Sequence, residues 1–211
     1  ICYFRKNSAA STISESDIEN VDFSKYGYLH ITGILPALTQ STRKATFRLI
    51  EKAKENGVYI SFDPNLRPQL WENKETMIEV INKLASQADI VFPGVAEGEF
   101  LMGSREPEKI GEFYLSLGAK AVVTEVGSRG AVLTTENGST FIEGFKVDKV
   151  VDTVGAGDGF AAGTLSGIME GIGLAESVKR GNAVGAIQVT HRSDNEGLPT
   201  RDELAHFMGK N

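Results

Sequence analysis

Two apolar patterns alternate along this chain. Short, largely apolar runs at residues 28–34 (interrupted near its end by Gly33), 58–62, 89–92 and 119–125 read as strands, because a parallel strand covered on both faces shows little polar surface. Between them the apolar positions recur every three to four residues, as on one face of a helix. In residues 41–55, Ala45, Leu49 and Ala53 share a face, with Lys and Glu opposite. In residues 74–86, Met77, Val80, Ile81 and Leu84 turn inward. A helix opens after Pro93-Gly94 and runs through Leu101, and another spans 107–117 with Pro107 at its first position, where a missing N–H costs nothing.

Residues 130–134 and 139–143 form two more strands, with turns at Ser128-Arg129-Gly130 and Glu136-Asn137-Gly138. Three helices finish the chain, over 156–170, 174–190 and 200–207. Near the start, residues 1–5 read as a strand and 6–16 as loop, and Ser14-Glu15-Ser16-Asp17 caps a short helix that ends near Phe23. Strands alternating with helices predict an α/β fold: a mostly parallel sheet covered on both faces, forming one core domain.

One stretch carries chemistry. A Val-rich run from Val147 to Val154, read as a strand, leads into Gly155-Ala156-Gly157-Asp158-Gly159, and a small-residue helix follows. A turn nearly without side chains lets a ligand approach the backbone. A helix N-terminus presents N–H groups and a positive dipole end, which favour an anion. Asp158 in the same turn can take a proton. An anion cradle beside a base points to phosphoryl transfer onto a hydroxyl; the plainer reading is a tight turn packing a helix on a sheet.

Other candidates lie at a strand end. Asp63-Pro64-Asn65-Leu66-Arg67-Pro68 follows the second internal strand, where ligands of α/β sheets sit. Asp63 and Asn65 can be explained by the turn itself, whereas Arg67 cannot.

Composition narrows the classes. The 211 residues include 22 basic and 28 acidic side chains, for a net charge of -6. Without a Lys/Arg run, a nucleic-acid partner is not expected. No apolar run is long enough to span a bilayer, so no membrane partner is expected either. Cys2 is the only cysteine, which excludes an internal disulfide and a Cys-rich zinc site. These features fit a soluble cytoplasmic protein. His30, His191 and His206 follow no metal-ligand spacing, and no Ser/His/Asp hydrolase pattern is present. The abrupt start at Ile1 suggests the later part of a longer chain.

The segment Asp152-Thr153-Val154-Gly155-Ala156-Gly157-Asp158 resembles the signature of the ribokinase-like (pfkB) carbohydrate kinases. The order of elements from Tyr28 to Phe207 agrees with that family. Three further stretches, at residues 3–10, 63–71 and 195–199, are most similar to the 2-keto-3-deoxygluconate kinases within it. The resemblance implies a three-layer ribokinase-like fold whose first strands, Gly-Gly substrate motif and most of a β lid precede this chain. Residues 1–6 would be a remnant of that lid and 7–211 the C-terminal portion of the core. In this family such a lid strand often makes homodimers.

The resemblance also implies roles. Asp158 would be the general base, and the backbone of Gly155, Ala156 and Gly157 the anion hole. Tyr3, Arg5, Arg67 and Asp194 would bind a sugar acid, the two guanidinium groups reading its carboxylate. Each arginine alone could be a surface ion pair, and Asp194 a loop cap. Thr124, Gly127, Ser128, Gly130 and Asn182 would meet ATP; otherwise they are a strand end, a tight turn and a buried amide that needs a partner. Asp152 would hold a monovalent cation such as K⁺, or else cap local N–H groups. Leu70 and Trp71 read as core.

Family members carry Asn-x-x-Glu where this chain has Gly94-Val95-Ala96-Glu97. Glu97 thus remains for Mg²⁺, directly or through water, or is an ordinary first-turn helix acid. The implied reaction is ATP-dependent phosphorylation of 2-keto-3-deoxygluconate to its 6-phosphate. The alternatives are a kinase of a neutral sugar such as fructose or ribose, and a non-catalytic sugar-binding fragment or regulator.

Overall fold

The computed structural model describes residues 8–210. The chain divides into two compact units, with the boundary between Val122 and Val123.

The first unit opens with helix α1 (Glu15–Glu19), whose start is fixed as the sequence predicts: Asp17 accepts the backbone N–H of Ser14 at 2.8 Å. Then follow strand β1 (Tyr28–Thr32), the short α2 (Leu35–Leu38), α3 (Gln40–Glu55) and β2 (Tyr59–Asp63). Next come α4 (Lys74–Ala85), β3 (Ile90–Val91), α5 (Val95–Met102), α6 (Pro107–Leu117) and β4 (Ala121–Glu125). Strands β1, β2, β3 and the start of β4 lie side by side in parallel, Tyr28 opposite Tyr59, Ser61 opposite Ile90, and Val91 opposite Val122. Parallel neighbours need a crossover, and a helix supplies each one.

The helix faces are those the periodicity predicts. In α4, Met77, Val80, Ile81 and Leu84 are all buried. In α3, Ala45 and Ala53 are buried, while Leu49 packs from the edge of the core. The core joins these to Ile60, Phe62, Ile110 and Val122. Tyr114 is fully buried among them. Its hydroxyl donates to Asn82 at 3.2 Å, and burial holds that hydroxyl far above the usual tyrosine pKa. Trp71 is buried as expected, with the Arg43 guanidinium 4.9 Å over its ring.

The second unit contains the rest of β4, then β5 (Gly130–Thr135) and β6 (Gly138–Glu143), which form an antiparallel hairpin from Gly130–Glu143 to Thr135–Gly138. Three helices follow, α7 (Ala156–Glu170), α8 (Leu174–Gln188) and α9 (Arg201–Lys210). Helices α7 and α8 pack closely because glycines face each other: a Cβ on Gly163 would lie 3.0 Å from the Gly181 Cα.

The sequence reading needs two corrections, the first being that α1 ends at Glu19 rather than near Phe23. Second, the Val147–Val154 run forms no strand. Val150 and Val154 are exposed, and the N–H groups of Val151 and Asp152 both donate to the carbonyl of Val189, at 2.8 and 3.3 Å. Its β-branched residues favour extended backbone, but a strand also needs a neighbouring strand, and here the C-terminal end of a helix takes the hydrogen bonds. The short α2 was not predicted; Pro36 in its first turn was the available signal. The predicted strand at residues 1–5 lies outside the described residues. Among the described residues, no helix is long and apolar enough to cross a membrane.

Candidate active site

The glycine turn becomes the start of α7. Gly155 is its N-cap, with left-handed φ of 77°. That angle favours glycine, and so does the surrounding space: a Cβ there would lie 2.3 Å from the Asp194 carbonyl oxygen. The loop carrying Asp194 is therefore seated directly on the glycine turn. Gly157 and Asp158 fall in the first turn of α7, whose N–H groups have no intrahelical partner. The Ala156 N–H is directed to the Thr153 carbonyl at 3.3 Å. Asp158 is exposed at the third helical position, with the positive end of the helix dipole behind its carboxylate. This turn can hold an anion against backbone amides and offers an accessible carboxylate beside it.

Asp152 uses one oxygen locally: its Oδ1 accepts the Val154 N–H at 3.0 Å. That is the turn-capping geometry, and it leaves the second oxygen for another role. Asp194 accepts a hydrogen bond from the Ser193 hydroxyl at 3.2 Å. Ser193 itself has a left-handed φ of 75°, unusual for a side chain that is not glycine.

Beside the turn, a cavity of about 310 Å³ opens in the second unit. Gly127, Ser128, Gly130 and Asn182 all line it, together with Ala156. Asn182 is buried and donates its amide N–H groups to the carbonyls of Ile142 and Glu143, each at 3.1 Å. Its amide oxygen keeps its capacity to accept. The remaining nucleotide candidate, Thr124, is fully buried within β4, and its neighbour Glu125 lines the cavity instead. Successive strand residues face opposite sides, so a displacement of one residue in reading the motif moves the position from cavity wall to core. A Cβ on Gly157 would lie 3.9 Å from both Glu125 carboxylate oxygens, which puts that acid next to the glycine turn. Glu125, Phe145 and Thr153 are cavity residues that the sequence reading missed; only adjacency to the motif could have suggested them.

The strand-end candidates belong to the first unit. Asp63 Oδ1 accepts the Asn65 N–H at 2.9 Å, and Asn65 takes a left-handed φ of 39°, so these two make the turn. The Gly33 N–H donates to the Asp63 carbonyl at 2.9 Å, and a Cβ on Gly33 would lie 2.1 Å from the Pro64 oxygen. Arg67 is half-buried. Its Nη1 donates to its neighbour's carbonyl at 2.9 Å, and its Nε is buried with no hydrogen-bond partner.

Glu97 ties this loop to α5. Its Oε1 accepts the Leu66 N–H at 2.8 Å and its Oε2 accepts the Gly94 N–H at 3.0 Å. Burial raises its pKa above the ordinary glutamate value; the two backbone donors and the Arg67 charge oppose that without overcoming it. Among the described residues, no group of three or more His, Cys, Asp or Glu could hold a metal ion. Tyr3 and Arg5 lie outside the described residues.

The α/β fold carries a glycine-capped helix with an exposed acid in its first turn, a combination compatible with phosphoryl transfer. Comparison with known proteins agrees. The model of the pfkB family of carbohydrate kinases matches residues 1–201, and the chain belongs to that family. Its fold is accordingly the three-layer ribokinase-like α/β fold. The chain is similar to the 2-dehydro-3-deoxygluconokinase of Bacillus subtilis (strain 168), with 48% identity over 208 residues, covering 99% of this chain and 64% of that protein. It thus spans about two thirds of that relative's length. It is also similar to the crystal structure of a PfkB protein from Polaromonas sp. JS666, with TM-score 0.86 and 44% identity over 97% of this chain and 65% of that one. A double mutant of the fructokinase from Vibrio cholerae O395, solved with fructose, ADP and potassium ion, aligns with TM-score 0.87 and 30% identity, covering 96% of this chain and 66% of that one.

Proposed function

We propose that this chain belongs to an ATP-dependent kinase that phosphorylates 2-keto-3-deoxygluconate at its 6-hydroxyl, in the cytoplasm. The observation that carries the reading is the Gly155-capped start of α7, with Asp158 exposed in its first turn and the cavity of Gly127, Ser128 and Asn182 beside it. The similarity to the Bacillus subtilis enzyme supports the substrate.

The cavity fits a nucleotide. Its wall is glycine-rich and apolar, it borders the helix N-terminus, and the Asn182 oxygen can accept a hydrogen bond from a base. Bound ATP would supply the transferable phosphoryl group. The amides at the start of α7, from the Gly155–Gly157 turn, would stabilise negative charge as it spreads onto that group. Asp158 would take the proton from the attacking hydroxyl.

Arg67, with Tyr3 and Arg5, would hold the substrate carboxylate through the half-buried Arg67 guanidinium. Asp194 would bind the sugar. Both Glu97 oxygens already accept backbone N–H groups, so Glu97 suits contact with Mg²⁺ through water better than direct ligation. A K⁺ role for Asp152 rests on its second carboxylate oxygen. Mg²⁺ would neutralise phosphate charge.

The test is a kinase assay on the full-length protein with 2-keto-3-deoxygluconate, fructose and ribose. Asp158→Asn should lower kcat on the order of 10²- to 10⁴-fold. Arg67→Ala should raise KM for the keto acid and leave any neutral-sugar activity alone. Unchanged activity in Asp158→Asn would remove the base assignment. Equal use of neutral sugars, with no effect of Arg67→Ala, would remove the acid substrate.

A further inference from the structure

Gln188, the last residue of α8, is completely buried, yet only half of its amide is satisfied. Its Nε2 donates to the Ser193 carbonyl at 2.7 Å and, at a longer 3.5 Å, to the Val154 carbonyl. Carbonyls only accept, so the amide nitrogen must face them. That orientation turns Oε1 toward Gly197, where it is buried with no hydrogen-bond partner. A buried acceptor without a donor is costly and calls for an explanation. An apolar side chain of similar volume would remove the cost.

The two bonds of Gln188 join segments that matter to the site. Val154 immediately precedes the α7 cap Gly155. Ser193, held in a left-handed conformation, immediately precedes Asp194. The Asp194 backbone is packed against Gly155, and the carbonyl of Val189, next to Gln188, takes the N–H groups of Val151 and Asp152. The end of α8 therefore fixes both sides of the anion cradle, with Gln188 as its buried clasp.

We propose that Gln188 is a positioning residue: its amide holds the strained Ser193–Asp194 loop against the Gly155 turn, and so sets the geometry of the anion cradle and of Asp158. The proposal rests on the kinase reading above, so its test includes a readout that does not depend on activity. In the full-length protein, Gln188→Met keeps the volume, discards both donated bonds and removes the orphan oxygen. Its melting temperature should equal or exceed that of the wild type, while kcat falls on the order of 10- to 100-fold, the cost of a small misplacement. KM for ATP should hardly move. Hydrogen exchange at the amides of Ala156 and Leu198, which donate to the Thr153 and Asn195 carbonyls on either side of the clasp, should accelerate.

Gln188→Glu adds a pH signature. A protonated carboxyl can donate to the Ser193 carbonyl, whereas a carboxylate cannot, and burial favours the protonated form. Activity should recover on acidification relative to the wild-type profile, which is the reference for nearby His191, Asp152 and Asp194. Wild-type kcat in Gln188→Met, or a loss that only tracks a lower melting temperature, would overturn the proposal. So would unchanged hydrogen exchange, even in a protein without kinase activity; a wild type that does not phosphorylate any sugar would instead refute the kinase reading.

Discussion

Gly155 and Gly157 stand two residues apart in one motif, yet an added methyl group should have opposite effects at the two positions. At Gly155 the φ of 77° costs an L-residue about 1–2 kcal/mol. The new Cβ would also lie 2.3 Å from the Asp194 carbonyl oxygen and 2.8 Å from its Cα. An ordinary C···O contact begins at about 3.3 Å, so the Asp194 backbone must retreat by about 1 Å. Overpacking of that kind costs about 1–3 kcal/mol. Together, Gly155→Ala should destabilise the fold by about 2–5 kcal/mol. At Gly157 φ is unstrained, the nearest atoms are 3.9 Å away, and the position is helical. Alanine there should stabilise by up to about 1 kcal/mol.

The assay is urea denaturation of both variants beside the wild type, followed by kinetics. Gly157→Ala should be folded at least as well as the wild type but slower, because its methyl group sits where an anion must approach the backbone. A cost below about 1 kcal/mol for Gly155→Ala would mean that the Asp194 loop yields freely and is not seated on the turn. Full activity in Gly157→Ala would refute the anion-cradle reasoning.

Two further outcomes follow from the geometry. The Glu97 pKa is raised in the folded chain, so between the ordinary value of 4.5 and the raised one the folded state holds a proton that the unfolded state has released. Its contribution is full below 4.5 and falls as pH rises through that window; denaturation of wild type and Glu97→Gln from about pH 4 to pH 8 should show this slope only in the wild type, and parallel curves would contradict it. Asn182→Leu removes both bonds to the hairpin carbonyls and should cost about 1–3 kcal/mol, with weaker ADP binding by calorimetry; stability lost with ADP affinity intact would make Asn182 purely structural.

Much of this was legible from the residues alone. Apolar spacing located α4 and α6 almost to the residue, because a buried helical face leaves a 3.6-residue period that needs no knowledge of its partner. The glycine turn and its acid were visible for the same reason: N-cap geometry and dipole are local properties of a few consecutive residues. What escaped were matters of pairing. The Val147–Val154 run has strand composition, but whether it meets a strand or the end of α8 is a long-range fact. The sequence pointed to Thr124 and not to Glu125, and only the facing of β4 puts the first in the core and the second on the cavity wall. Glu97 reads as a helix acid, yet its second partner is the Leu66 amide, 31 residues earlier. Gln188 carries no signal in the sequence, since its meaning lies in two carbonyls that folding brings to it. The sequence by itself determined most of the elements and the glycine turn with its acid, which depend on neighbours along the chain. Only the tertiary structure decided which side chains support that turn, because burial and hydrogen-bond partners are set by residues far away in the chain.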